Sequence, residues 1–99
     1  MKSSYAVVWS SNGHVQAGRL EPFADRFELH GREQRLSVRF GQLSGAAIER
    51  HGGERLLGLP VLSLRLRDDP PVRIASLEGA GFLHELADFI EHAGRPVAA

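Results

Sequence analysis

Apolar residues recur at every second position through most of this chain, and at helical spacing only near its end. Phe27 and Leu29 alternate with Arg26, Glu28 and His30, and Leu36, Val38 and Phe40 alternate with Arg35, Ser37 and Arg39. Each run reads as a strand with one wet face. Gly31 to Gln34 is the four-residue loop between them, which sets Phe27 against Val38, Leu29 against Leu36 and Glu28 against Ser37. Before this hairpin, Tyr5 to Ser10 is rich in β-formers and runs into Asn12-Gly13, the pair that suits a type I′ turn with φ > 0 at both central positions. That turn sets Ser11 opposite His14, Ser10 opposite Val15, Val8 opposite Ala17 and Tyr5 opposite Leu20. The apolar set Val15, Ala17, Leu20 changes parity near Gly18, so a bulge or sharp coil is expected there.

Pro22 to Asp25 and Gly41 to Ser44 read as turns, and Gly45 to Arg50 is a weaker strand carrying Ala47 and Ile48. His51 to Glu54 turns on its glycines, and Leu56, Leu57 and Leu59 lead into Pro60, which suits an edge or corner. Leu62, Leu64 and Leu66 alternate, Asp68 to Pro71 turns, and Val72 and Ile74 begin the last strand. A five-residue connection would place Leu64 opposite Ile74 and Leu66 opposite Val72. From about Ala80 to Ala93 the period becomes helical: Leu83, Leu86, Ala87, Ile90 and Ala93 form one stripe, widened by Phe82 and Phe89. Gly79 or Gly81 can open that helix, and Gly94 followed by Pro96 closes it. The expected fold is mainly β: seven antiparallel strands in a partly open barrel or sandwich, capped by one C-terminal helix. Residues 5–93 make one domain between a flexible start, 1–4, and a flexible tail, 94–99.

Composition narrows the function. Ninety-nine residues support one core. The absence of cysteine removes disulfide scaffolds, thiolate metal sites and cysteine nucleophiles. Lys and Arg total 12 and so do Asp and Glu, so the long-range field that draws a protein to nucleic acid or an anionic bilayer is missing. No leader pattern follows Met1-Lys2, and no stretch is long and apolar enough to cross a membrane, so a cytoplasmic location is expected. Nearly all of the basic residues are arginine, a bias consistent with a GC-rich bacterial genome.

With these elements placed, the chain resembles the pleckstrin-homology-like superfamily, close in pattern to small bacterial and GRAM-type members. The resemblance rests on Gly18-Arg19-Leu20 with Phe27-Glu28-Leu29-His30-Gly31, on Leu36 to Phe40 with Gln42-Leu43, and on the terminal Phe82-Leu83, Leu86, Phe89 helix. It implies a seven-stranded barrel-like sandwich with a capping helix, a fold that hosts lipid binding, peptide binding and scaffolding alike. The family's lipid-binding members carry a basic cluster in the first hairpin. Here that hairpin offers Ser10, Ser11, Asn12, His14 and Gln16, with Arg19 as its one strong cation.

Four groups of residues are candidates for chemistry. Arg65 and Arg73 fall opposite each other in the register above, with Arg67 nearby, and await an anion or an acidic partner unless they simply splay into water. Tyr5, Val7 and Trp9 share one strand face, which is either core or an aromatic contact surface for a partner. That strand is apolar on both faces, so something covers the second one, a further subunit being one option. His84, Asp88 and His92 recur at four-residue steps along the helix, too spread to hold one ion together. Ser10 or Ser11 with His14 lacks the flanking motifs of a nucleophile and base. No enzymatic activity, cofactor or resident metal is expected. The sequence reading is an interaction module that binds a protein partner or itself, with anionic headgroup binding through Arg65, Arg67 and Arg73 as the alternative.

Overall fold

A computed structural model describes residues 3–50, 56–79 and 81–92. The strands are β1 (Tyr5–Ser11), β2 (His14–Pro22), β3 (Arg26–His30), β4 (Arg35–Arg39), β5 (Leu43–Glu49), β6 (Val61–Leu66) and β7 (Val72–Ser76), followed by helix α1 (Gly81–His92). They form one seven-stranded sheet in the order β4-β3-β2-β1-β7-β6-β5, and every pairing is antiparallel. The sheet curls into a half-barrel. Its two edge strands, β4 and β5, follow each other in the chain across a single 3-10 turn, Phe40–Gln42.

The first hairpin turns on Asn12 (φ 53°) and Gly13 (φ 83°), as its sequence dictates. Its register is continuous from Tyr5 opposite Leu20 to Ser11 opposite His14. The bulge expected at Gly18 is therefore absent. Val15 and Ala17 are apolar but face solvent, and Val15 is 54% exposed, so the parity never changes. Gly18 answers a different need. A Cβ there would lie 1.7 Å from the His30 carbonyl oxygen, and the bare position lets β3 come close enough for Trp9 Nε1 to donate to that oxygen at 3.1 Å. The second hairpin has the expected pairs, Phe27 with Val38 and Leu29 with Leu36.

The last hairpin differs from expectation by two residues. Leu62 faces Ile74, Ser63 faces Arg73 and Leu64 faces Val72. A two-residue slip keeps every side chain on its own face, so alternation alone does not distinguish the registers. Ahead of it, β5 begins at Leu43 and carries a bulge between Leu43 and Gly45.

The interior is a single apolar cluster drawing on all seven strands, the Phe40 corner and the helix. Tyr5, Val7 and Trp9 belong to it at 3%, 0% and 0% exposure, so of the two readings offered for them the core holds and the contact surface is corrected: the inward parity of β1 buries them. The helix presents Phe82, Leu83, Leu86, Ala87 and Ile90 to this interior. Phe82 stacks on Tyr5 at 4.0 Å between centroids and Phe89 meets Phe40 edge-on at 5.4 Å. The helix thus closes the open side.

The second face of β1 is covered by the chain itself. Val8 packs with Ala75, Val61, Leu56 and the half-buried Leu59 in a small outer cluster. Leu56 and Leu59 exchange both backbone hydrogen bonds, 3.1 and 2.8 Å, around Leu57 (φ 51°) and Gly58 (φ 76°). This tight turn folds back as a flap over the sheet, so no further subunit is needed there. The expected turn at His51 to Glu54 and the closing signals at Gly94 and Pro96 lie outside the described residues.

Candidate functional site

Three surfaces position polar side chains that could act on something. The first is the outer face of the β1–β7–β6 region. Here the pairings align Val15, Ser10, Arg73, Ser63 and Ala47 in one row across five strands. Arg73 stands between two serines, and Ser10 is 4% exposed. Beside them a shallow cleft of about 440 Å³ is lined by Ser10, Asn12, Gly13, Ser63, Pro70, Pro71 and Arg73. Arg65 lies opposite Gly45, not Arg73. Its guanidinium covers the glycine so closely that a Cβ would come within 2.5 Å of Nη2. Arg67 is exposed beyond the strand end, where its N–H donates to the Gln42 carbonyl at 3.0 Å. The face-to-face repulsion that suggested an anion between Arg65 and Arg73 therefore does not exist, and the three arginines do not converge.

The second surface is the pair of sheet edges. β4 is five residues long, and its outward side chains are Arg35, Ser37 and Arg39. Charges and shortness of that kind protect an edge from pairing with other chains. β5 is seven residues long and reads Leu-Ser-Gly-Ala-Ala-Ile-Glu. It has no lysine, arginine or proline, and its outward side chains are small except for Glu49 at its end. Among the described residues no strand pairs with it on its far side. A cleft of about 320 Å³ lined by Ala46, Ala47, Glu49, Ser63 and Arg65 adjoins it. At its end Arg50 Nη2 donates to His84 Nε2 of the helix at 3.2 Å.

The third surface is the outer face of β2 and β3. Glu21 stands opposite Glu28, and His30 stands opposite Arg19 on one side and Arg35 on the other. His30 Nε2 lies 2.6 Å from Glu21 Oε1 and 3.8 Å from Glu28 Oε1. Arg26 Nε donates to Glu28 Oε2 at 3.1 Å, and Arg26 Nη1 donates to Asp25 Oδ1 at 2.9 Å. The same guanidinium lies 4.4 Å from the centre of the Phe23 ring. The hydrogen bond from Arg26 holds the Asp25 carboxyl below the usual carboxylate range, and Asp25 in turn raises the guanidinium's proton affinity.

Sequence reasoning missed this cluster because it read Pro22 to Asp25 as a turn and set no register between the second and third strands. The strand continues to Pro22, where Phe23 N–H donates to the Arg26 carbonyl at 2.8 Å. Counting outward through that tight turn puts Glu21 on Glu28. The other candidates stay apart. His84 is engaged by Arg50, and His92 Nδ1 donates to the Asp88 carbonyl at 2.8 Å, so the helix histidines share no ion with Asp88. Ser11 faces His14 across the first turn, but among the described residues no side-chain hydrogen bond joins them.

No helix among the described residues is long and apolar enough to cross a membrane. No family model and no curated protein matches the chain. Among solved structures, the chain is similar to the C-terminal domain of an unknown protein from Leishmania infantum, with a TM-score of 0.67, 9% identity, and coverage of 88% of this chain and 80% of that one. At that identity the likeness concerns the fold alone.

Proposed function

We propose that this domain is a non-enzymatic interaction module of the pleckstrin-homology-like kind, and that it takes up an extended segment of a protein partner along the free edge of β5. The observation that carries this reading is the contrast between the two edges. β4 is short and bears arginine at both ends, whereas β5 is longer, presents Ser44, Gly45 and Ala47 over most of its outer face, and carries one charge, Glu49, at its far end. A strand added to β5 would gain main-chain hydrogen bonds along its length, with the Ala46, Ala47 and Arg65 cleft beside it to read side chains. Nothing in that reading requires a nucleophile, a base or a cofactor.

Selection of a displayed peptide library on the immobilised domain tests it, followed by amide shift mapping with the selected peptides. Shifts concentrated on Leu43 to Glu49 are expected. Ala47→Lys, which places a charge on the outer face of the edge, should abolish binding while leaving the unfolding temperature nearly unchanged. Shifts confined to other strands, or full binding by Ala47→Lys, would refute the β5 edge as the site. Light scattering at several concentrations separates a protein partner from a second copy, because only the latter raises the mass of the isolated domain.

A further inference from the structure

The β2–β3 cluster plays no part in strand addition at β5, and its geometry is unusual for a set of surface ion pairs. Glu21 and Glu28 are directly opposite each other on adjacent strands, where two carboxylates repel. His30 turns its ring into the space between them, and the three donor atoms all lie within 4.8 Å of one another. His30 Nε2 is shut off from solvent, yet it has no hydrogen-bond partner among the described residues. Glu21 Oε1 is close enough, at 2.6 Å, so it must approach away from the ring N–H direction. Buried polar atoms are nearly always satisfied. Two carboxylate oxygens and one imidazole nitrogen that converge this closely, with no hydrogen bond directed at the imidazole nitrogen, have the composition of a metal ligand set.

Ligands bound tetrahedrally at ~2.0–2.1 Å stand about 3.3 Å apart, so an ion would part His30 Nε2 from Glu21 Oε1, now 2.6 Å away, and draw in Glu28 Oε1 from 3.8 Å. The surroundings hold the ligands in place. Arg26 occupies the other oxygen of Glu28 and leaves Oε1 free, while Trp9 and the bare Gly18 fix the backbone of His30. Outer partners of this sort orient metal ligands and sharpen affinity.

We propose that Glu21, Glu28 and His30 form a three-ligand site for a divalent transition-metal ion of the zinc class, with water completing the coordination. The ion neutralises the two facing carboxylates and ties β2 to β3. The competing occupant is a proton, which would make His30 an imidazolium between two carboxylates.

The test is zinc titration of the metal-free full chain by calorimetry, combined with long-range ¹H–¹⁵N spectra of the imidazoles. One ion per chain is expected, with the His30 ring shifting and an unfolding temperature that rises with zinc and falls back with EDTA. Glu21→Gln keeps the side chain's shape at a half-exposed position and should weaken binding at least tenfold. Arg26→Gln should weaken it by about tenfold through the outer partner, and His84→Gln should leave it unchanged. The proposal is overturned if zinc moves the rings of His14, His84 or His92 instead of His30, or if Glu21→Gln binds as tightly as the parent. It is equally overturned if zinc has no effect while Glu21→Gln lowers the unfolding temperature, since the cluster is then an ion pair alone.

Discussion

At the scale of single residues, Gly18 and Trp9 are the most constrained positions. Any Cβ at Gly18 collides with backbone, which cannot rotate away as a side chain end can. Gly18→Ala should therefore destabilise the fold by roughly 1–3 kcal/mol through overpacking, with a further loss of about 1 kcal/mol as the Trp9 hydrogen bond lengthens. Urea unfolding measures both, and Trp9→Phe isolates the second part. Leu57 is the opposite case. It is a bulky side chain at φ 51° and 75% exposed, so it gains little from burial and bears the strain of the left-handed region. Leu57→Asn should stabilise by about 0.5–1 kcal/mol, an outcome that a simple count of lost apolar residues would not give. Asp25 links the surface to pH. Its carboxyl is depressed by Arg26, so its contribution is present above the unfolded value near pH 4 and is lost as pH falls through the lower folded one. In Asp25→Asn the decline in stability below pH 4 should be shallower than in the parent, as acid titration of the unfolding temperature will show.

At the scale of elements, the helix is the part most dependent on the rest. Twelve residues are short for an isolated helix, so its stability comes from packing. Leu86→Ala, at a fully buried position, should cost about 2–5 kcal/mol, and far-UV circular dichroism should show helix signal lost together with the sheet. The flap offers a milder comparison. Leu56→Ala uncovers Val8 and Ala75, and the exposed rim can collapse inward, so its cost should fall near the lower end of that range. Legibility of the elements followed from how many constraints each one carried. Asn12-Gly13 fixed both turn type and register, and the second hairpin had alternation and loop length in agreement. The last hairpin had alternation and an assumed five-residue connection, but seven residues, 65–71, separate the last pair, so Arg73 was placed against Arg65 when it faces Ser63. Val15 misled for a related reason: one apolar side chain on the wet face looked like a change of parity. The helix was readable because Phe82, Leu86 and Phe89 kept the period of one face.

At the scale of the whole molecule, the curled sheet with its helical cap was visible in the pattern of periods. The sites were less visible because each depends on two strands meeting. Glu21, Glu28 and His30 come together only through the β2–β3 register, and the free edge of β5 exists only because β7 pairs with β1. The balanced charge, with a sequence pI near 7.0, belongs to this scale too. Self-repulsion is weakest at neutral pH, so solubility should pass through a minimum near pH 7 and recover on either side, which precipitation assays across pH can follow.

The 3-10 turn that carries the chain from β4 to β5 joins strands at opposite ends of the hydrogen-bonded order. Scission there would leave two contiguous fragments, one a four-stranded meander and the other three strands with the helix, sharing a single ladder between β1 and β7. Such halves are suited to complementation: each alone should be unstructured, and mixing them should restore a cooperative melt whose midpoint depends on their concentration.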